Sequence, residues 1–247
     1  MTKHAPKPTI ERAEFDEYAQ AYSAGMDNKL KAMLGESADD FILVKLNWLE
    51  RRFPELATSQ ELNLLDYGCG TGALLRAMAR RGWLVTKTGC DISEGMLQQG
   101  RALWDEACGP MPTFSVQDCV RTEFADNCFD VVIISAVLHH IPLDQRNAAL
   151  SEILRVLKPG GSVVVFEHNT HNPVTRYVVA NTPIDQNAIL LPPKETVSRL
   201  SQCGFSASAT VYIMFAPPKT ELLRQLDRFL GWLPLGAQYA VTAAKPG

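Results

Sequence analysis

The sequence predicts an α/β protein whose core is a doubly wound, mostly parallel sheet. Three observations carry that expectation. An apolar run, Leu62 to Tyr67, includes Asp66 near its end and leads into glycines at alternate positions, Gly68, Gly70 and Gly72. From there to about Phe166, runs of strand length alternate with stretches of helical period, the order that stacks helices on both faces of a parallel sheet. The run Leu62 to Tyr67 lacks alternation, as suits a parallel strand covered on both faces.

The elements follow in order. Ile10 to about Phe53 has a helical pattern, with Phe15, Tyr18 and Tyr22 and later Phe41, Leu43, Val44, Leu46, Trp48 and Leu49 as its apolar positions, and Pro54 ends it. Residues 1–55 therefore read as a helical cap and 56–247 as the main domain. After the first strand, a helix from Ala73 to Arg81 carries Leu74, Leu75 and Met78, with Gly82 as its stop. The second strand, Leu84 to Cys90, is closed by Asp91, and Ser93 caps a helix that extends to about Cys108. Strand three is Thr113 to Val116, followed by Gln117 and Asp118, and strand four is Phe129 to Ile134. Leu150, Ile153, Leu154 and Leu157 mark one face of a helix, and Lys158-Pro159-Gly160-Gly161 turns the chain into strand five, Ser162 to Phe166. The tail reads as helix Lys194 to Cys203, strand Ser206 to Phe215, helix Lys219 to Leu230 and a last strand at Gln238 to Thr242.

Bulk properties narrow the function. A chain of 247 residues with 46% hydrophobic and 21% charged content fits one globular α/β domain with additions. A net charge of −3 gives no general attraction to a phosphate backbone, which disfavours nucleic acid as partner. The six cysteines form no C-x-x-C pair, so neither a zinc framework nor a disulfide framework is expected. With no apolar signal core near Met1 and no window of membrane-span length, the expected location is the cytoplasm.

The glycine loop carries the most chemistry. Glycines let the chain turn sharply and let a ligand lie against bare backbone, and the helix that follows presents free N–H groups to that ligand. The spacing is G-x-G-x-G, not the G-x-G-x-x-G of nicotinamide-dinucleotide sites. Two acids, Asp66 and Asp91, end adjacent strands, one placed for an amine near the loop and the other for a ribose diol. Further blocks follow at Val116-Gln117-Asp118, Phe129-Asp130-Val131-Val132 and Leu154 to Gly161. This ordered set, spanning about Leu62 to Glu167, resembles the class I S-adenosylmethionine-dependent methyltransferases, small-molecule type, and is similar to the ubiquinone and menaquinone group.

That resemblance implies a Rossmann-like, seven-stranded sheet completed by an antiparallel last strand. It also implies S-adenosyl-L-methionine as cofactor and a biosynthetic or tailoring methyl transfer to a small-molecule acceptor. Asp66, Gly68, Cys69, Gly70 and Thr71 would surround the methionine part, Asp91 the ribose hydroxyls, and Ile92 and Met96 the adenine. Asp118, flanked by Cys119, would meet the adenine amino group, and Ser135 and Val137 would lie beside the sulfonium. Tyr18 and Tyr22 belong to a helix that in many relatives forms a lid over the cofactor. The alternatives are a protein that binds the cofactor without methylating, and a protein methyltransferase.

Methyl transfer is an in-line displacement at an activated carbon, so the protein must chiefly align the partners and exclude water. A base is needed only if the acceptor sheds a proton. Three of the five histidines stand where a base is useful: His139 and His140 after strand four, and His168 after strand five. His140 is the first choice. Asn172 and Pro173 should start a short helix at the edge of the site, with Arg176 and Asn169 as candidate acceptor contacts. His168-x-x-His171 lacks a helical spacing and a third ligand, so no metal site is expected. The segments 168–192 and 216–236 would shape the acceptor pocket, and the apolar stripe Leu222, Leu223, Leu226, Phe229, Leu230 and Leu233 would pack inward or join a homodimer.

Overall fold

The computed structural model describes residues 38–118, 120–185, 187–206, 209–216 and 228–247. Its centre is a seven-stranded sheet in the order β3-β2-β1-β4-β5-β7-β6. The strands are β1 Asn63–Tyr67, β2 Thr86–Asp91, β3 Thr113–Val116, β4 Phe129–Ser135, β5 Leu157–His168, β6 Ala209–Ile213 and β7 Gln238–Ala244. Pairing is parallel from β3 through β5, and β7 runs antiparallel to both β5 and β6. The expected antiparallel last strand is therefore present. The strand order reverses between β1 and β4, and crevices at the carboxyl ends of strands flanking such a reversal are where open parallel sheets bind ligands.

Helices cover both faces. They are α1 Ala38–Arg52, α2 Glu55–Thr58, α3 Ala73–Arg80, α4 Glu94–Ala102, α5 Arg146–Val156, α6 Pro173–Ala180 and α7 Pro193–Gln202. On one face, Val44, Leu46, Trp48 and Leu49 of α1 join Leu75 and Met78 of α3 against Leu64, Ile133 and Phe166. The Trp48 ring stands edge-on to Phe166, with centroids 5.4 Å apart. On the other face, Leu150 and Ile153 of α5 and Leu200 of α7 pack against Leu65, Val132, Val163 and Tyr239. Residues 38–52, read from sequence as part of a cap, thus share the core of the sheet.

Several boundaries differ from the sequence expectation. The helix after Ser93 stops at Ala102, and Glu106–Cys108 forms a separate 3-10 turn. The Lys158–Gly161 stretch is not a free turn but the start of β5, which pairs with β4 across a register shift between Phe129 and Val131. A Cβ on Gly161 would approach the Asp130 carbonyl oxygen to 2.9 Å, so only glycine lets the strands close there. The strand read as Ser206 to Phe215 is limited to Ala209–Ile213. Of the helix expected over Lys219 to Leu230, only residues 228–230 fall within the described residues. Among the described residues, no helix is long and apolar enough to cross a membrane.

Candidate active site

A cavity of about 620 Å³ opens at the carboxyl ends of β1, β2, β4 and β5. One end is the glycine loop. Gly68, Gly70 and Gly72 have φ of 74°, 53° and 66°, a left-handed conformation that side chains resist. The amides of Gly68 and Cys69 donate to the Cys90 carbonyl at 2.8 and 2.9 Å, which ties the loop to the end of β2. Asp91 fixes it from the other side. Its Oδ2 accepts from Gly70 N at 2.8 Å and its Oδ1 from Ser93 N at 2.9 Å. A Cβ added at Gly70 would meet nothing within 4 Å, because that position faces the open cavity.

Asp66 sits beneath the loop, only 2% exposed, and its Oδ1 has no hydrogen-bond partner. Burial pushes its pKa up to about 7; the Lys45 ammonium pulls against this and the Asp91 carboxylate adds to it. Burial likewise pushes the Cys69 thiol well above its ordinary range, with the Asp66 and Asp91 charges adding to the effect, so Cys69 is no nucleophile here.

The far end of the cavity is a group of histidines and carboxylates. His139 is 1% exposed, and its Nδ1 lies 2.5 Å from Oε2 of the fully buried Glu167. Its Nε2 lies 3.5 Å from Asp185 Oδ1, a long ion-pair contact, and has no closer hydrogen-bond partner. His140 Nε2 is also 3.5 Å from Asp185 Oδ1, and the His139 ring lies 4.2 Å from that of His140 and 5.1 Å from that of His168. Burial opposes charge on His139, but the Glu167 and Asp185 carboxylates outweigh it and raise its pKa to about 9. Burial and the neighbouring His139 charge lower both His140 and His168 to about 4.

Distant segments hold this group in place. Arg146, fully buried at the start of α5, donates from Nε to the Ile141 carbonyl at 3.0 Å and from Nη2 to the Ile189 carbonyl. The Ile189 amide donates to the His139 carbonyl at 2.9 Å. The turn bearing His139 and His140 and the loop bearing Asp185 are thereby clamped together.

Most sequence-predicted residues meet at this cavity. Asp66, Gly68, Cys69, Gly70, Thr71, Asp91, Ile92, Met96, Asp118, Ser135, Val137, His139, His140 and His168 all border it. Tyr18, Tyr22 and Cys119 lie outside the described residues. Two expectations are corrected. Asn169 is fully buried and committed to structure: its Nδ2 donates to the Pro234 and Gly236 carbonyls, and its Oδ1 accepts from His171 N. Arg176 is exposed on α6 and does not border the cavity; α6 contributes Val174, Thr175 and Val178 instead. The helix itself starts as read, with Asn172 Oδ1 accepting from Val174 N and Thr175 N.

The sequence reading missed Lys45, Glu167 and Asp185. Lys45, nearly buried on α1, donates from Nζ to Ser135 Oγ at 2.7 Å and borders the cavity. Its signal was a lysine four residues from both Phe41 and Leu49 on an apolar helix face. Glu167 ends a buried strand as Asp66 and Asp91 do, and the same rule applied to β5 would have found it. Asp185 stands in a 3-10 turn with no periodic signal at all. The expectation of no metal site rested on His168 and His171 as a pair. His171 is exposed and apart from the cavity, whereas His139, His168 and Asp185 each offer a ligand atom within 4.8 Å of the others.

Residues 64–161 match the family model for a methyltransferase domain. The match spans β1 to the start of β5 and includes the whole glycine loop, on the sheet order described above. Over those residues the chain is similar to a methyltransferase domain. Curated relatives include the ubiquinone/menaquinone biosynthesis C-methyltransferase UbiE of Hydrogenovibrio crunogenus, 38% identical over 109 residues, which are 42% of this chain and 41% of the relative. The demethylmenaquinone methyltransferase of Clavibacter sepedonicus is 32% identical over 164 residues, 66% of this chain and 60% of that one. The chain thus spans about half the length of the curated relatives it matches. The fold is also that of a methyltransferase from Thermotoga maritima, described as a possible histamine N-methyltransferase, with a TM-score of 0.67 at 17% identity over 94% of this chain and 99% of the other.

The residues of the methyltransferase domain fit S-adenosylmethionine. The orphaned Asp66 Oδ1 is an acceptor awaiting a donor, and Gly70 leaves open the space that a side chain would fill.

Proposed function

We propose that the protein transfers a methyl group from S-adenosylmethionine to a small-molecule acceptor in a biosynthetic or tailoring reaction. The observation that carries this reading is one continuous cavity bounded by the glycine loop at one end and by His140, His168 and Asp185 at the other. When bound, S-adenosylmethionine supplies a methyl group already activated on a sulfonium. The chain's residues hold and align. Asp66 takes the cofactor's ammonium, Asp91 its ribose hydroxyls, and Ile92 and Met96 flank the adenine. Ser135, held by Lys45, and Val137, packed against Gly68, define the wall between cofactor and acceptor. His140 borders the acceptor side and is the residue placed to take a proton from, or orient, the reacting atom.

The test has two arms. Calorimetry of the purified chain should show S-adenosylhomocysteine binding at one site, and radiolabelled S-adenosylmethionine should pass its methyl group to members of a small-molecule acceptor panel. Absence of S-adenosylhomocysteine binding, or tight binding of NADH in its place, would overturn the reading.

A further inference from the structure

We propose that His139 Nε2, His168 and Asp185 form a binding site for a divalent first-row transition cation, with an open position facing the acceptor end of the cavity. The inference deepens the methyltransferase reading and rests on it for the acceptor's identity, but not for the metal.

Four observations converge. The three donor atoms lie within 4.8 Å of one another, and the measured edge, His139 Nε2 to Asp185 Oδ1, is 3.5 Å. Ligands at zinc-bond lengths of about 2.0–2.2 Å in a tetrahedron stand roughly 3.3–3.6 Å apart, so this edge already matches a metal polyhedron. It is long for a hydrogen bond, and the buried His139 Nε2 makes no other. A buried imidazole nitrogen without a well-formed hydrogen bond is uncommon in a native protein. A cation supplies the missing partner.

The arrangement behind His139 is the second observation. Nδ1 meets Glu167 Oε2 at 2.5 Å inside the core. Metal-bound histidines almost always donate their other ring N–H to a carboxylate or carbonyl, which fixes the ring and aims the free nitrogen. Glu167 occupies that place. Third, Arg146 ties Ile141 to Ile189, and so holds the loop carrying Asp185 against the His139 turn. The ligands are positioned before any metal arrives. Fourth, two carboxylates flank the His139 ring, Glu167 at Nδ1 and Asp185 at Nε2. Glu167 is fully buried and Asp185 mostly so, and buried carboxylates require a counter-charge. A dication at Nε2 supplies it to Asp185 directly, and to Glu167 through the His139 ring.

Two imidazoles and one carboxylate suit zinc, iron(II) and their neighbours rather than magnesium or calcium, which prefer oxygen ligands. All three side chains border the cavity, so the fourth position opens towards the acceptor rather than into protein. Three protein ligands and one open position characterise a catalytic metal site. The ligand for that position is an oxygen nucleophile, an alcohol, phenol or enol. Its hydroxyl would bind as the oxyanion and release its proton to solvent, as metal-bound water does near neutral pH.

The experiment uses the full chain, free of any histidine tag and stripped with a chelator. Zinc chloride is titrated by calorimetry, and cobalt(II) chloride by visible absorption. The expected result is one zinc per chain with micromolar or tighter affinity, and cobalt bands of a four- or five-coordinate ion. His168→Ala and Asp185→Asn should each weaken zinc binding by about 100-fold or more, and Glu167→Gln by about 10–100-fold. S-Adenosylhomocysteine titrated into the same variants reports that the fold and the cofactor end survive. Failure of wild type to bind zinc stoichiometrically would overturn the proposal, as would undiminished zinc affinity in a His168→Ala chain that still binds S-adenosylhomocysteine. Failure of S-adenosylhomocysteine to bind wild type would strike the methyltransferase reading alone.

Discussion

The two ends of the cavity are built by different means. At the cofactor end, Asp66, Gly68, Gly70, Asp91 and Ser93 come from the adjacent strands β1 and β2 and the turns after them, and backbone amides make nearly every bond that fixes them. At the acceptor end, His139, Glu167, His168 and Asp185 come from the ends of β4 and β5 and from a loop beyond α6, and side chains make the contacts. The first arrangement is written in a short stretch of sequence whose residue types are dictated by backbone geometry. The second depends on three-dimensional closure, and Arg146, which joins the segment after His139 to the loop beyond Asp185, is one of the groups that achieves it. A cofactor held by main chain can stay fixed while the acceptor end is rebuilt from side chains.

That contrast can be broken by substitutions at either end. The largest expected effect lies at the acceptor end. His140→Ala should cut methyl-transfer turnover by about 10²–10⁴-fold if the histidine takes a proton or orients the acceptor. Stopped-time assays with radiolabelled S-adenosylmethionine measure it, with melting temperature as the control. A variant that melts earlier but turns over normally would assign His140 to structure and leave the contrast without its catalytic half.

A smaller effect is expected from Asp66, a buried titrating group of the cofactor end. Burial holds its pKa near 7, so the carboxylate is present above that pH and is lost as pH falls below it. A cofactor ammonium needs the charged form. Affinity for S-adenosylhomocysteine should therefore decline by several-fold, and by no more than about tenfold per pH unit, as pH is lowered from 7.5 to 6. Asp66→Asn should flatten that dependence. Calorimetry at the two pH values measures it, and an unchanged wild-type affinity would remove Asp66 from the ammonium site.

The smallest effect sharpens the boundary of the acceptor end. Asn172 caps α6, whose residues Val174, Thr175 and Val178 border the cavity. Asn172→Ala should cost about 1 kcal/mol of stability, the usual loss for a removed cap, measured by urea denaturation. Affinity for S-adenosylhomocysteine should stay at the wild-type value, because α6 lies on the acceptor side.

The legibility of the sequence followed the same division. Strands β1 and β4 were readable because a buried parallel strand is mostly apolar, and the glycine loop because a left-handed turn selects glycine. The residues expected at the site that do border the cavity mostly stand at or just after strand ends. Asn169 and Arg176 were misjudged because position after a strand does not reveal direction: Asn169 turns inward to the Pro234–Gly236 segment, and Arg176 outward to solvent. Lys45 and Asp185 were missed because their importance arises only when α1 and the loop after α6 fold over the sheet edge. The helix expected over Lys219 to Leu230 and the tyrosines of the proposed lid lie wholly or largely outside the described residues.

The central claim is that one cavity holds the cofactor at its main-chain end and the acceptor at its side-chain end. The most direct measurement is S-adenosylhomocysteine affinity, by calorimetry, in Asp91→Ala and His140→Ala side by side. Asp91→Ala removes charge-assisted hydrogen bonds to the ribose and should lose about 1.5–3 kcal/mol of binding for each bond, whereas His140→Ala should bind as wild type does. Full affinity in Asp91→Ala, or an equal loss in both variants, would contradict the division of the site.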